Sequence, residues 1–194
     1  MKKLTREDLM TLETYAKERK LFRTKVLEHK KYRKIGLGEH ATLYFEDRLT
    51  MQYQIQEMLR VERIFEEAGI LEELDAYNPL IPDGGNLKAT FMLEYDDVEE
   101  RKQALANMIG IEDKVWIQIK GHDKVYAIAD EDLERDTEEK TSSVHFLRFE
   151  FDQAMITSAK AGQDIAMGIE HNAYEQFIPA IHDGSRQALI ADFD

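Results

Sequence analysis

Four metal-capable side chains fall where the surrounding pattern is apolar or where a strand ends: His29, Glu62, His145 and His171. His29 shares a helical stripe with Phe22 and Val26, and His145 lies in VHFLRFEF on the side of Leu147, Phe149 and Phe151. His171 closes the strand pattern DIAMGIE. At about 100° per residue, Glu62 falls between Ile55 and Met58 on the apolar side of RLTMQYQIQEMLRVERIFEEAG, and Gln54 falls there between Val61 and Phe65. A carboxylate removed from water needs a cation, hydrogen bonds or a proton. Glu62 therefore predicts company inside the fold, either a basic side chain from the N-terminal region or a metal. Imidazole and carboxylate form an N/O donor set suited to iron, manganese or zinc, although nothing in the spacing of these four residues requires them to converge.

A second group of residues suits protein docking. Residues 1–40 hold 12 Lys and Arg against 6 Asp and Glu, a balance of +6, while the remainder of the chain carries −19. Lys30, Lys31 and Arg33 belong to the basic segment, and Gln52, Gln56, Arg60 and Arg63 lie on the predicted wet face of the long helix. These seven form the candidate surface for an acidic partner. The rival reading pairs the same basic charges with the acidic body of the molecule.

Several chemistries are excluded. With no cysteine in the chain there is no disulfide, thiolate nucleophile or cysteine-held iron–sulfur cluster. The net charge of −13 opposes binding to nucleic acid. HExxH, the Glu-x-x-His pair of di-iron bundles, GxGxxG, the P-loop and GxSxG are all absent, so no cofactor is evident and no reaction follows. Trp116 in VWIQI is read as core. No apolar run reaches the roughly 18 residues that span a bilayer, and no export signal is evident. A cytoplasmic protein without a membrane partner is expected.

The elements that must position these residues follow from periodicity. Thr5 followed by Glu7 and Asp8 predicts a helix through Lys20, and Phe22, Val26 and His29 predict a second one ended by Gly36 and Gly38. ATLYFED reads as a strand, and Leu49 to Gly69 as one long helix. LKATFMLEYDD, VEERKQALANMIG and KVWIQIKGH repeat as SVHFLRFEFD, QAMITSAKAG and DIAMGIEH: strand, acidic cap, helix, strand. Asp96 or Asp97, and Asp152, are the caps. DEDLERDTEEKT is an acidic, solvated connection or a short exposed helix. The expected fold is α+β, with an N-terminal helical pair (residues 1–40) and one long helix packed on a mixed, mainly antiparallel sheet. The body spans 41–194, with candidate strand-helix-strand repeats at 87–122 and 143–171.

RLTMQYQIQEMLRVERIFEE, AYNPLIPDGGNLKAT, IADEDLER and EKTSSVHFLRFEF resemble an uncharacterised bacterial family, the domain-of-unknown-function family thirty-five-oh-one, over essentially the full length. The resemblance supplies no catalytic residues. It implies an oxidative-stress or redox setting, because genes of the family typically stand beside those for rubrerythrin and an iron–sulfur oxidoreductase like heterodisulfide reductase. The resulting expectation is an accessory protein of peroxide defence or electron transfer that binds one of these redox partners, with self-association also open. The alternative is a metal-dependent redox enzyme or sensor built on His and Glu ligands.

Overall fold

The computed structural model describes residues 2–133 and 135–194. In chain order its helices are α1 (Leu12–Lys30), α2 (Arg48–Glu62), α3 (Glu67–Tyr77), α4 (Val98–Asn107), α5 (Gln153–Lys160) and α6 (Asp183–Ile190). Its strands are β1 (Lys34–Leu37), β2 (Ala41–Glu46), β3 (Asn86–Leu93), β4 (Val115–Ile119), β5 (Lys124–Tyr126), β6 (Ile128–Ala129), β7 (Val144–Glu150), β8 (Ile165–His171) and β9 (Tyr174–Ile178). The α+β class holds. The strands form two sheets, ordered β1-β2-β3-β7-β6 and β5-β4-β8-β9, and every pairing among the described residues is antiparallel.

Strand alternation explains how the sheets share a core. Side chains of one face of the first sheet, among them Leu43, Phe45, Phe91, Leu147 and Phe149, pack in one cluster with Val115, Ile117, Ile165, Met167 and Ile169 of the second. Only Ala127 separates β5 from β6, so the chain passes there from one sheet to the other. The expected strand-helix-strand pattern is present twice, as β3-α4-β4 and β7-α5-β8. Asp97 accepts from Glu100 N at 2.8 Å and Asp152 from Met155 N at 2.8 Å, each capping the helix of its unit. Each unit sends one strand to each sheet, and the two units meet through the antiparallel pairs β3–β7 and β4–β8.

A second, smaller core of Leu4, Leu9, Met51, Ile55, Leu59, Ile70, Leu74 and Ile81 belongs to the N-terminal segment and to α2 and α3. Here the observed elements differ from the expected ones. The anticipated helical pair is a short 3-10 turn, Arg6–Asp8, followed by the single helix α1. Gln56 explains the break between them: its Oε1 accepts from Met10 N at 2.6 Å and its Nε2 donates to Met10 O at 3.3 Å, satisfying backbone groups that a continuous helix would have used. The α2 helix ends at Glu62, because Arg63 adopts a left-handed conformation (φ 58°) and both Arg63 N and Ile64 N bond back to Leu59 O. The buried face is thus Met51, Ile55 and Leu59 with Gln56, while Val61 and Phe65 are 63% and 75% exposed.

This rotation overturns the reading of Glu62, which is solvent-exposed at the helix end. Gln54 is only partly buried, and Gln56, expected in water, is fully buried. The interior charges lie elsewhere. Arg33, 3% exposed, grips Asp192 with Nη1 at 2.8 Å and Nη2 at 2.7 Å, donates from Nη2 to Ala188 O at 3.0 Å and stands 3.1 Å from Asp47. Asp47 caps α2 through Thr50 N and meets His29 Nε2 at 2.5 Å. Burial would raise the Asp47 carboxyl, but His29, Arg33 and the Thr50 N–H together hold it low; for Asp192, burial prevails over Arg33 and the carboxyl is pushed up.

Replacing Arg33 with Met strands the buried Asp192 carboxylate and takes one of three partners from Asp47, and should cost about 3–5 kcal/mol in urea unfolding. Glu62→Ala and Glu62→Gln should each stay within about 0.5 kcal/mol, as expected of surface changes.

Candidate metal centre

At its N-terminal end β7 delivers His145 to the interior, opposite Phe91 of β3, and the imidazole is fully buried. An imidazole there must find polar partners, and the acidic connection before β7 provides them. Asp130, in a left-handed conformation (φ 49°), places Oδ2 at 2.6 Å from His145 Nδ1 while Oδ1 accepts from Phe146 N at 3.1 Å. Arg135 secures this turn. Its Nη1 reaches Asp130, Asp132 and the Leu133 carbonyl at 2.7–3.0 Å, and its guanidinium lies 4.7 Å above the Phe146 ring.

The other ring nitrogen faces a denser group. His145 Nε2 is 2.9 Å from Thr141 Oγ1 and 3.1 Å from Ser142 O. Glu112 Oε2 stands 3.8 Å away and Asp136 Oδ1 4.0 Å away. Asp136 is fixed by Gly110 N at 2.8 Å and Thr141 Oγ1 at 2.5 Å. Glu112 comes from the 3-10 turn Ile111–Lys114 between α4 and β4. It is buried, and its Oε2 has no hydrogen-bond partner.

A carbonyl can only accept, so Nε2 facing Ser142 O and Nδ1 facing Asp130 suit a ring that donates from both nitrogens. The same geometry suits exchange of the Nε2 proton for a cation. One donor atom each from Glu112, Asp136 and His145 lies within 4.8 Å of the others. Two ligands bound at about 2.1 Å to one ion stand about 3.4 Å apart in tetrahedral and about 3.0 Å in octahedral geometry, so the measured 3.8 and 4.0 Å separations from Nε2 would close on binding by about 0.4–1.0 Å. Asp130 behind Nδ1 supplies the carboxylate that orients a ligating imidazole.

Of the four sequence candidates, only His145 belongs here. His29 serves Asp47. His171 sits at the end of β8, Nε2 3.2 Å from Ile109 O and Nδ1 accepting from Ala173 N, and Glu62 is in solvent. The four do not converge. Asp130, Asp136 and Thr141 were missed because DEDLERDTEEKT reads as a solvated acidic run, where the available signal was an inward histidine shortly after it; Glu112, in the turn IEDK between α4 and β4, carried no signal in its spacing. Of the candidate docking residues, Arg33 and Gln56 are buried and Gln52 donates to Asp8 O at 2.6 Å, whereas Lys31, Arg60 and Arg63 are exposed, Lys31 pairing with Glu28, Arg60 with Glu57 and Arg63 forming the end of α2. Lys30 is half-buried.

The chain belongs to the family described as "Protein of unknown function (DUF3501)", whose model matches residues 3–193. It is also similar to a protein of unknown function from Burkholderia pseudomallei K96243, known from a crystal structure, with 50% identity, complete coverage of both chains and a TM-score of 0.94. No curated protein matches the chain. Among the described residues no helix is long and apolar enough to cross a membrane.

Burial raises the Glu112 carboxyl to about 6, against the pull of its own backbone N–H and of His145. Folding therefore favours the protonated carboxyl: this contribution is complete below the unfolded value of about 4.3 and is lost as pH rises to about 6. Metal-stripped protein should lose up to about 2 kcal/mol over that window relative to Glu112→Gln, read as diverging urea midpoints.

Proposed function

We propose that this chain binds a divalent transition-metal ion through Glu112, Asp136 and His145, with Asp130 holding the imidazole. The observation that carries the reading is the buried, unpartnered Glu112 Oε2, 3.8 Å from His145 Nε2. An unmet carboxylate oxygen inside a protein is costly, and a cation between it and the imidazole would meet that need. Thr141 Oγ1 and Ser142 O, both near Nε2, are further oxygen donors within reach. One nitrogen and several oxygens suit manganese, iron or zinc.

Binding displaces the Nε2 proton and any proton on Glu112, so affinity rises with pH through about 6. Iron or manganese at this centre would serve the redox role implied by the family resemblance; zinc would serve structure or Lewis-acid chemistry.

Elemental analysis of chelator-free preparations, followed by calorimetric titration of stripped protein with manganese, iron(II) and zinc, tests the reading. One ion per chain is expected. Glu112→Gln should abolish stoichiometric binding while leaving the metal-free fold intact, and Asp130→Asn should weaken it by about 10–100-fold. A folded wild-type protein that binds none of the three ions with an affinity sensitive to Glu112 overturns the proposal.

A further inference from the structure

Away from the metal centre, the outer face of the second sheet bears a cleft of about 560 Å³ whose walls include Trp116, Lys124, Glu170, Glu175, Gln176 and Phe177. Trp116 is only 3% exposed, yet it belongs to neither hydrophobic cluster. It alternates with Val115 and Ile117, which face the shared core, so its indole lies on the opposite side of β4. The register sets Trp116 beside Gly168, and Gly168 beside Phe177, in one row across the sheet. A methyl group on Gly168 would come within 2.5 Å of the indole, so the glycine leaves room for the ring to lie flat. Phe177 stacks alongside, centroids 6.4 Å apart at 27°, and is itself 64% exposed.

Two glutamates flank these rings. Glu170 and Glu175 stand directly opposite each other on β8 and β9, a like-charge arrangement that destabilises an antiparallel pair. Glu170 is relieved by Lys124 and by the Tyr126 hydroxyl at 2.7 Å, whereas Glu175 has no partner among the described residues. The Lys124 ammonium, besides pairing with Glu170, lies 4.1 Å from the indole centroid. The cleft thus already holds one ammonium against an aromatic face and a carboxylate, with a second aromatic wall and a second carboxylate left uncovered. The Trp116 Nε1–H is buried without an acceptor.

We propose that this cleft binds an organic ammonium group, seated on Trp116 and Phe177 and neutralised by Glu175, with Lys124 as its intramolecular stand-in. Cation–π attraction and a facing carboxylate are the chemistry that selects quaternary and primary ammonium ions over neutral molecules of the same shape. The amine belongs to a free small molecule or to a lysine side chain; both present the same cation.

Trp116 is the chain's only tryptophan, so selectively excited tryptophan emission reports on this cleft alone. Titration with choline, with acetyl-lysine methylamide and with 3,3-dimethylbutan-1-ol, the uncharged isostere of choline, separates charge from shape. A saturable change with either ammonium and none with the alcohol is expected, and which ammonium acts identifies the source. Glu175→Gln and Phe177→Ala, both exposed and checked for native circular dichroism, should weaken binding about tenfold. Lys124→Ala should tighten it by vacating the indole face. No saturable response to either cation, an equal response to the alcohol, or unchanged affinity in Glu175→Gln overturns the proposal.

Discussion

A buried charge survives only among partners, and Arg33 is where that constraint holds the molecule together. It lies between α1 and β1, while its acceptors come from the start of α2, from Ala188 in α6 and from Asp192, the second residue after α6. His29 near the end of α1 completes the group by meeting Asp47. The two hydrophobic cores are separate clusters, one between the sheets and one among the N-terminal helical elements, so apolar packing alone does not set how these elements meet. A bidentate guanidinium–carboxylate pair does so with fixed geometry, because both groups are planar and neither tolerates desolvation alone.

The proposed metal centre meets the same constraint differently. Around Arg33 the carboxylates face cations and capped N–H groups; around His145 three carboxylates gather on one imidazole, and Glu112 keeps an oxygen without a partner. In the first arrangement both carboxylates are met within the chain, although Arg33 Nε has no partner. Under the proposed reading the second becomes complete when a cation arrives, and that is its distinction from the Arg33 cluster, whose carboxylates the chain already meets. The 50%-identical Burkholderia pseudomallei protein, with its closely superimposable fold, offers a second chain on which the distinction can be examined.

Sites on this fold lie where elements change direction. Glu112 stands on a 3-10 turn between helix and strand, Asp130 on a left-handed residue just after β6, and Asp136 in the connection to β7. Each is held by backbone N–H groups or by Arg135, so rigid strands position His145 and short irregular segments bring the carboxylates to it. Trp116 shows the complementary case, in which regular register alone assembles a row of aromatic and small residues.

From the residues alone, alternation and capping determined strands β2, β3, β4, β7 and β8, the two strand-helix-strand units, the caps Asp97 and Asp152 and the inward face of His145, because these depend on neighbours a few positions away, while the edge strands β1 and β9 were not legible. The tertiary structure decided the rest. A helical wheel has no phase reference beyond its own pattern, so Glu62 and Gln56 exchanged places once Gln56 found the Met10 backbone 46 residues away. Trp116 was legible as buried but not as outward-facing, since either face of a strand can be covered. Which carboxylates of an acidic run turn inward depends on where a distant histidine, arginine or backbone N–H awaits them, and spacing along the chain does not encode that.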